Sequence, residues 1–558
     1  MPFPTEMYRD GHCSKSIVCP SGVDYHRYLI ERYKLVADAA PDFIWVDDDI
    51  RMQGMEGLAC FCPQCLGKFD GGRWRREDLV VQLDAPGGSS TRASWLGFSI
   101  SQIDYILKII ADTVHSIDAA IDISMMSGGV GGVYTPEAMR RWHTTLGGRR
   151  ARPGGVVGFY SDSTPGAMLQ KSIAVCRQCV AYPAFVTDIQ YEVENFPYQK
   201  LSKSIASVLN ESVLAFASGS NGIAFNVLKD LPGSLEPYDE LFTAIEAARP
   251  SWDLFLSTLP GSRTTGLHIP ERPDEWVRRP EVEHSVGQYS NIDPTQVLME
   301  IGIPVTRDPA GAVATVLCGD TAAFLDDEEI EEIFAGGVLI DSHTVKLLSD
   351  RGLSGLTGVQ VEKCFDNGVY ERFLDHPLNQ PYADDARDTR ISFWKAPADT
   401  LTPIDEHVEP LARLIGYDRS DLGVCATAYV NRLGGRVVAL GYAPWTYIHS
   451  SAKRTQVLNY ADWVSFSRLP TLISKVTRVT QAVRANDDSS RLSAVLLNTS
   501  FDDSGELEVR LRTSAPRVSI INSGGPVELK SRRAGSDAIV TIPSMAPWRH
   551  LLLTAGGI

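Results

Sequence analysis

The chain has 558 residues, of which 44% are hydrophobic and 22% charged, and its formal net charge is −16 at pH 7. This length exceeds what one hydrophobic core usually serves, so we expect two to four domains. The negative charge argues against nucleic acid and acidic membrane surfaces as partners, because both would be repelled. No apolar stretch reaches the length of a membrane span, and the first residues lack the apolar segment of a signal peptide.

Five cysteines cluster near the start of the chain. Cys60, Cys62 and Cys65 form a C-x-C-x-x-C motif, and Cys13 and Cys19 lie upstream of it. Three thiolates at this spacing, with a fourth one helix upstream, are typical of a tetrahedral structural zinc site. The alternative is a group of buried, reduced thiols. Ten cysteines in the whole chain are too few for a disulfide framework, so we expect a reducing, cytoplasmic environment.

Region 1–275 alternates apolar strand patterns with helical patterns, which predicts β/α units. The predicted strands lie near 43–48, 121–126, 155–160, 185–194 and 222–227. Parallel strands joined by helices predict a (β/α)₈ barrel. Five clear strands and one weak strand do not close such a barrel. Either further strands are hidden in weak sequence or the chain begins inside a longer protein, and we favour the second interpretation.

Acidic residues end two of these strands. The first strand runs into Asp47, Asp48 and Asp49. The strand near 185–194 carries polar residues at every second position, which are Asp188, Gln190, Glu192 and Glu194. This period places them on one strand face, and catalytic groups of barrels lie at the carboxyl ends of strands. The alternatives are a solvated acidic turn and the exposed face of an edge strand.

Carboxyl groups on two separate barrel strands indicate glycoside hydrolysis, in which one protonated acid and one ionised carboxylate flank the scissile bond. Neighbouring negative charges raise the pKa of one group in such a cluster and so separate the two roles. Tyr160 follows the predicted strand near 155–160, where it either lines this cleft or belongs to a structural loop.

Two further regions follow the predicted barrel. Region 280–465 again alternates apolar runs with helical patterns, and it predicts a small doubly wound α/β domain. It contains no G-x-G-x-x-G motif, so we infer no nucleotide. Region 485–558 consists of short alternating runs separated by Gly, Pro, Ser and Asp, which predict an antiparallel β-sandwich.

The amino-terminal region resembles glycoside hydrolase family 42, the β-galactosidases of the retaining barrel clan. The resemblance rests on the segments VCPSGVDYHRYLIERYKLVADAAPDFIWVDDD and CFCPQC and on the order of the three regions. It implies a barrel, a flavodoxin-like trimerisation domain and a β-sandwich, and therefore a homotrimer. It also implies structural zinc held by Cys19, Cys60, Cys62 and Cys65, with Cys13 as a bystander.

The same resemblance assigns roles to the acids. The family's Asn-Glu pair falls on Asp48 and Asp49, which implies sugar binding by Asp48 and proton donation by Asp49. Both residues depart from the pattern, because aspartate is one methylene shorter than glutamate. The segment VENFP matches the family's nucleophile strand and points to Glu194, with Glu192 as the alternative.

Sugar-binding positions match the family less well. The family's Glu-x-x-His pair after the last barrel strand falls on LPGSLEPYDE, which offers Glu236 and Tyr238 but no histidine. The first-strand arginine of the family has no counterpart. The sequence therefore predicts a retaining glycoside hydrolase acting on a terminal β-glycoside. The alternative is a catalytically inactive carbohydrate-binding or assembly homologue of the same fold.

Overall fold

The computed structural model describes residues 3–47, 60–128, 134–154, 159–229, 232–271, 275–278, 294–365, 369–389, 398–442, 448 and 450–556. The helices are α1 (Val23–Asp38), α2 (Pro63–Lys68), α3 (Arg76–Asp84), α4 (Ser89–His115), α5 (Pro136–Leu146), α6 (Gly166–Ala181), α7 (Ile205–Ser218), α8 (Asp239–Ser257), α9 (Glu275–Arg278), α10 (Thr295–Glu300), α11 (Asp327–Phe334), α12 (Ser342–Asp350), α13 (Ser354–Thr357) and α14 (Ser451–Val464).

The strands of the first half are β1 (Thr5–Met7), β2 (Cys13–Val18), β3 (Phe43–Val46), β4 (Asp122–Gly128), β5 (Arg150–Gly154), β6 (Asp188–Glu194), β7 (Gly222–Asn226), β8 (Arg263–Thr264) and β9 (Gly266–His268). Those of the middle are β10 (Val305–Thr306), β11 (Ala312–Leu317), β12 (Gly337–Asp341), β13 (Val359–Phe365), β14 (Tyr370–Phe373), β15 (Ala386–Asp388), β16 (Ala398–Pro403), β17 (Glu409–Ile415), β18 (Asp421–Val430) and β19 (Arg436–Leu440). The remaining strands are β20 (Thr471–Leu472), β21 (Val479–Ala485), β22 (Leu492–Asn498), β23 (Leu507–Arg512), β24 (Val518–Asn522), β25 (Gly525–Leu529), β26 (Ser531–Ala534), β27 (Asp537–Ile542) and β28 (His550–Ala555).

A five-stranded parallel sheet, ordered β3-β4-β5-β6-β7, forms a half-barrel within the described residues. Helices α4 to α7 connect or follow its strands, as β/α units require. Local sequence fixes their ends: the Thr135 hydroxyl caps α5 by accepting from Ala138 N at 3.1 Å, and Pro136 follows as the first helical residue. Gly147 ends the same helix at φ 74°, a left-handed conformation that glycine adopts without strain.

The third strand of the half-barrel begins earlier than the sequence-based prediction. We expected it near 155–160, whereas β5 already covers Arg150–Gly154. Residues 155–158 lie outside the described residues, and Tyr160 lies in a loop. The segment Arg150–Gly154 contains two arginines and a proline, so it lacks the apolar run that usually marks a buried strand. Its arginines are instead neutralised by acids on neighbouring strands, including Asp122 and Asp188.

A nine-stranded mixed sheet follows, in the order β10-β9-β11-β12-β19-β18-β17-β14-β15. Strands β9 to β12 and β19 pair in parallel, and the last four strands pair antiparallel. The carboxyl-terminal region contains antiparallel sheets of four and six strands whose buried side chains share one apolar cluster. Strand β8 joins the six-stranded sheet through β21, so the regions interlock. No helix in the described ranges is both long enough and apolar enough to span a bilayer.

Candidate functional site

Strand β6 brings two carboxyl groups to the carboxyl edge of the half-barrel. Tyr191 and Val193 point into an apolar cluster and are 1% and 0% exposed. Because side chains alternate along a strand, Glu192 and Glu194 share the opposite face. Glu192 is buried, and Glu194 is partly exposed at the end of the strand. The alternation predicted from the sequence is therefore present.

Glu192 forms an ion pair with Arg152 on the neighbouring strand β5. Gly154, at the end of β5, makes room for the carboxyl group: a Cβ at this position would lie 2.8 Å from Glu192 Oε2. Burial raises the pKa of Glu192, and the Arg152 guanidinium opposes that rise. The negative charges of Glu194 and Asp47 raise the pKa of Glu192 further.

The acidic run after β3 reaches the same region. Asp47, the last described residue of that run, is exposed and influences the pKa of Glu192 electrostatically. Two strands that are not neighbours in the sheet therefore bring acids near each other at the carboxyl edge. Asp48 and Asp49, the predicted sugar ligand and proton donor, lie outside the described residues.

Glu194 is held by residues that follow it and by the next strand. The Tyr198 hydroxyl donates to Glu194 Oε1 at 3.3 Å, and Asn226 Nδ2, at the end of β7, donates to the Tyr198 hydroxyl at 3.4 Å. Burial raises the pKa of Glu194, whereas the Lys171 ammonium and the Tyr198 hydrogen bond oppose the rise. Tyr198 has φ 63°, a left-handed conformation that is costly for a bulky residue and often occurs at functional sites.

Aromatic rings surround the Glu194 end of the strand. The centroid of the Phe196 ring lies 5.6 Å from that of Tyr198 and 6.1 Å from that of Tyr160. Both ring pairs are arranged edge to face. Phe196 is 55% exposed. An exposed aromatic wall beside a carboxyl group is a common lining of small-molecule sites. Tyr160, a residue predicted to line the cleft, thus lies in this aromatic group.

The remaining predicted residues have different surroundings. Glu236 is exposed in the short turn between β7 and α8, which follows the carboxyl end of β7. Tyr238 is 4% exposed and packs in the apolar cluster behind β6. Asp188 begins β6, at the edge opposite the candidate site, where it pairs with Arg150 at 3.1 Å. Gln190 Nε2 donates to Asp188 at 3.1 Å, so these two residues form a separate polar group.

Cys19, Cys60, Cys62 and Cys65 converge, as the resemblance implies. Their four sulfur atoms lie within 4.8 Å of one another, and all four residues are buried. Cys19 Sγ lies 3.5 Å from both Cys62 Sγ and Cys65 Sγ. A tetrahedral ion with metal–sulfur distances of about 2.3 Å needs sulfurs about 3.8 Å apart, so the cluster fits a metal ion.

Backbone amides donate to two sulfur atoms of this cluster. The Met7 amide donates to Cys60 Sγ at 3.1 Å, and the Cys65 amide donates to Cys62 Sγ at 3.5 Å. Hydrogen bonds among the four thiols lower the pKa of Cys19 and Cys62 and raise that of Cys60 and Cys65. Cys13 is exposed on β2 and is not part of the group.

The fold resembles that of solved glycoside hydrolases, among them GH42 β-galactosidases. The solved structures it resembles include α-L-fucosidase isoenzyme 2 from Paenibacillus thiaminolyticus, with TM-score 0.63 and 13% identity over 97% of this chain and 81% of that one. They also include the β-galactosidase from Bacillus circulans sp. alkalophilus, with TM-score 0.59 and 12% identity. That match covers 99% of this chain and 86% of the other.

A catalytic mutant of a GH42 β-galactosidase from G. stearothermophilus gives TM-score 0.60 and 10% identity over 99% and 85% of the two chains. No protein-family model matches this sequence, and no curated protein matches it significantly. At these identities the likeness concerns the fold: a mixed α/β chain whose parallel sheet corresponds to part of a glycosidase barrel.

Sequence reasoning missed two residues of the site, Arg152 and Tyr198. Arg152 belongs to a strand that was expected a few residues later, and its partner is 40 residues away in the chain. The sequence did contain a usable signal. The arginines of RARPG occupy alternate positions, as expected for one face of a strand, and they could have been paired with the acids of β6. Tyr198 carries no comparable signal, because its contact with Glu194 depends on the turn after β6.

Proposed function

We propose that this protein is a retaining glycoside hydrolase that cleaves a terminal β-glycoside by a two-carboxylate double displacement, as β-galactosidases do. The observation that carries the proposal is the partly exposed Glu194 carboxyl at the carboxyl end of β6, beside an aromatic wall. In barrel enzymes this edge holds the catalytic groups. The glycosidase-like fold supports the same reaction class.

Glu194 is the proposed nucleophile, and Glu192 is the weaker candidate. A nucleophile must reach the anomeric carbon, and Glu192 is 6% exposed and bonded to Arg152. Glu194 is more accessible and keeps one oxygen hydrogen bonded to Tyr198. We assign Glu192 and Arg152 to shaping the floor of the site.

For the remaining roles, the proposal relies on the sequence. Asp49 is the proposed acid/base, and Asp48 and Glu236 are the proposed sugar ligands, with Tyr160 contributing to the aromatic wall and Tyr238 supporting the site. A retaining mechanism requires the carboxyl groups of Asp49 and Glu194 to lie about 5–5.5 Å apart, whereas a spacing of about 6.5 Å or more gives inversion.

The test is hydrolysis of a panel of nitrophenyl α- and β-glycosides by the purified chain. We expect turnover of at least one β-glycoside with retained anomeric configuration. Glu194→Gln should reduce kcat by about a thousandfold or more, a loss of ~4 kcal/mol in transition-state stabilisation. Glu246→Gln, an exposed change on α8, is the matched control and should leave turnover unchanged.

Full activity of Glu194→Gln would move the nucleophile to Glu192 or end the glycosidase proposal. A wild-type chain that binds galactose or a related sugar without turning over any glycoside would support the second candidate, an inactive carbohydrate-binding homologue. The two functions are separated by measuring sugar binding by calorimetry alongside turnover.

We further propose that the four-cysteine group holds structural zinc and that the active assembly is a homotrimer in a reducing, cytoplasmic compartment. Four buried thiols without a disulfide support both the metal and the compartment. The proposed domains are a barrel in 1–275, a flavodoxin-like trimerisation domain in 280–465 and a β-sandwich in 485–558. Light scattering that gives the mass of one chain would exclude the trimer.

A further inference from the structure

The turn after β6 brings a tyrosine hydroxyl back to the candidate nucleophile. Tyr198 Oη donates a hydrogen bond to Glu194 Oε1 at 3.3 Å, although the two residues are four positions apart in the chain. The chain reverses between them, because Tyr198 N donates to Asn195 O at 2.9 Å and Tyr198 has φ 63°. This left-handed conformation is sterically costly for a bulky residue, so other contacts must stabilise it.

The carboxyl end of β7 stabilises this turn through two hydrogen bonds. Asn226, the last residue of β7, lies opposite Glu194 in the parallel pairing of the two strands. Its Nδ2 donates to Tyr198 Oη at 3.4 Å. Asn195 Nδ2 donates to Val227 O at 3.2 Å, and Asn195 is 3% exposed, so water has little access to this second bond. The neighbouring strand therefore fixes the turn that carries Tyr198.

The amide on β7 also determines where the tyrosine proton points. A phenol has one proton to donate, and its oxygen can accept a hydrogen bond as well. Because the Asn226 amide donates to this oxygen, the proton of Tyr198 is directed to the Glu194 carboxyl group. Both distances are at the long end for hydrogen bonds, as is common for catalytic contacts before substrate binds.

Charged groups on the elements packed around Glu194 also act on its carboxyl group. They are Glu192 on β6, Arg152 on β5, Lys171 on α6 and Lys203 before α7. The Tyr198 contact differs from these charges because it is a hydrogen bond to one carboxyl oxygen. It can therefore fix the orientation of the group, and a hydrogen bond to a carboxylate also favours the ionised form.

We propose that Tyr198 is a positioning residue whose hydroxyl, oriented by Asn226, holds the Glu194 carboxylate in a fixed orientation and in its ionised form. This inference rests on the proposed role of Glu194 as nucleophile. Oε1 accepts the tyrosine proton, and Oε2 is left for the substrate. The turn after β6 and the end of β7 thus prepare the nucleophile before substrate arrives, and Tyr198 acts on the reaction through Glu194.

The first experiment compares Tyr198→Phe with the wild type on a nitrophenyl β-glycoside. The variant loses the hydroxyl and keeps the ring that packs against Phe196. We expect kcat to fall about tenfold with little change in KM, since a hydrogen bond to a charged group is lost. The acid limb of kcat/KM should move upward by about one pH unit. Tyr105→Phe, an exposed change on α4, should leave both unchanged.

A double-mutant cycle tests the part played by Asn226. Asn226→Ala alone should lower kcat by about threefold, because the Tyr198 hydroxyl is then free to turn away from Glu194. In the Tyr198→Phe background the same change should cause no further loss, because Asn226 acts through that hydroxyl. Losses that multiply in the double variant would overturn the orientation of Tyr198 by Asn226.

The next measurement does not require turnover. ¹³C NMR of protein labelled at glutamate carboxyl carbons follows the titration of Glu194, whose signal is identified by its absence in Glu194→Gln. The signal should titrate at higher pH in Tyr198→Phe than in the wild type. If Tyr198→Phe does not fold by circular dichroism, Tyr198→Leu is the second variant without the hydroxyl for both measurements.

The two proposals fail in distinguishable ways. A wild type without glycosidase activity, combined with a shifted Glu194 titration in Tyr198→Phe, removes the proposed function and keeps the hydrogen bond to Glu194. An active wild type whose kcat, acid limb and Glu194 titration are all unchanged in Tyr198→Phe overturns the role of Tyr198.

Discussion

The ion pair between Arg152 and Glu192 separates the two carboxyl groups of β6 into different environments. Glu192 is bonded to a guanidinium and almost excluded from solvent, whereas Glu194 is partly exposed and accepts one hydrogen bond from a tyrosine. Like charges two residues apart on one strand face would otherwise repel each other. The Arg152 guanidinium thus opposes the rise in the pKa of Glu192 that burial and the Glu194 charge cause.

Arg152→Met should therefore destabilise the fold as well as the site. The change leaves the Glu192 carboxyl buried without its bonded cation, which typically costs about 3–5 kcal/mol, and we expect the lower end because Arg152 keeps some exposure. Urea denaturation measures the loss. The double variant Arg152→Met with Glu192→Met should recover part of it, since no charge is then left unpaired. Equal stabilities of wild type and Arg152→Met would contradict the observed pairing.

The sequence predicted the residues of β6 better than their partners. Alternation along one strand is a local property, so Glu192 and Glu194 could be assigned to one face from the sequence. Which strand supplies a partner depends on register between segments far apart in the chain, and a local pattern does not encode it.

At the scale of elements, the four cysteines join separate segments of the amino-terminal region. Cys19 follows strand β2, and the other three precede or belong to helix α2. Backbone bonds reinforce the junction, because Phe61 N donates to Met7 O at 2.9 Å. A metal held by these thiolates would connect the β1–β2 hairpin to α2 through bonds stronger than packing alone.

If the four-cysteine group holds the proposed zinc, its removal should unfold the region locally or globally. Structural zinc contributes about 10–16 kcal/mol of binding free energy to small zinc-dependent domains, so Cys65→Ser should lower the free energy of unfolding by several kcal/mol. Thermal unfolding and metal analysis of Cys65→Ser and of chelator-treated wild type give the measurement. Cys13→Ser is the matched control, because Cys13 is exposed outside the cluster. Identical metal content and melting temperature in Cys65→Ser would refute the assignment.

The nine-stranded sheet contains a buried charge network of its own. Glu371 on β14 is 0% exposed and binds Lys453 Nζ at 2.9 Å, Arg387 Nε at 2.7 Å and the Tyr442 hydroxyl at 2.5 Å. Lys453 Nζ also donates to Gln456 Oε1 at 2.6 Å. The network links α14 to strands β14 and β15. It consists of polar side chains in the interior, where a sequence pattern alone would lead one to expect apolar residues.

Glu371→Gln should destabilise this region much more than removal of a surface pair. Two cations would remain buried with only a neutral amide between them, at a cost of about 3–5 kcal/mol. The comparison is Glu508→Gln, which removes a 3.4 Å ion pair between exposed strands and should cost at most about 1 kcal/mol. Chemical denaturation of both variants tests the contrast, and similar losses would argue against a buried network.

Over the whole molecule, the helices of the half-barrel pack against both other regions. One apolar cluster includes Leu214 of α7, Val316 of β11 and Leu497 of β22, which belong to three different sheets or their helices. The order of the three domains stays a prediction from shifts in sequence pattern along the chain. The shared core was not predictable from such shifts, because β8 and β9 lie next to each other in sequence yet join different sheets.

One buried and two partly buried histidines give the whole molecule a predictable response to acid. His143, His268 and His550 each have a pKa lowered to about 4, with burial as the first cause. Between about pH 6.5 and 4 the unfolded chain therefore binds protons that the folded chain does not. The free energy of unfolding falls as the pH is lowered through this range, by up to about 1.4 kcal/mol per pH unit for each histidine.

His143→Phe isolates one of these contributions. His143 is 0% exposed, and among the described residues neither of its ring nitrogens makes a hydrogen bond, so an apolar ring suits the position. We expect the variant to lose less stability than the wild type between pH 7 and pH 5 in urea titrations. His12→Phe changes an exposed ring and should leave the wild-type slope in place. If His143→Phe keeps the full wild-type slope, the proton uptake on unfolding comes from other groups. A smaller slope in that variant alone would show that burial of a neutral imidazole limits the acid stability of this fold.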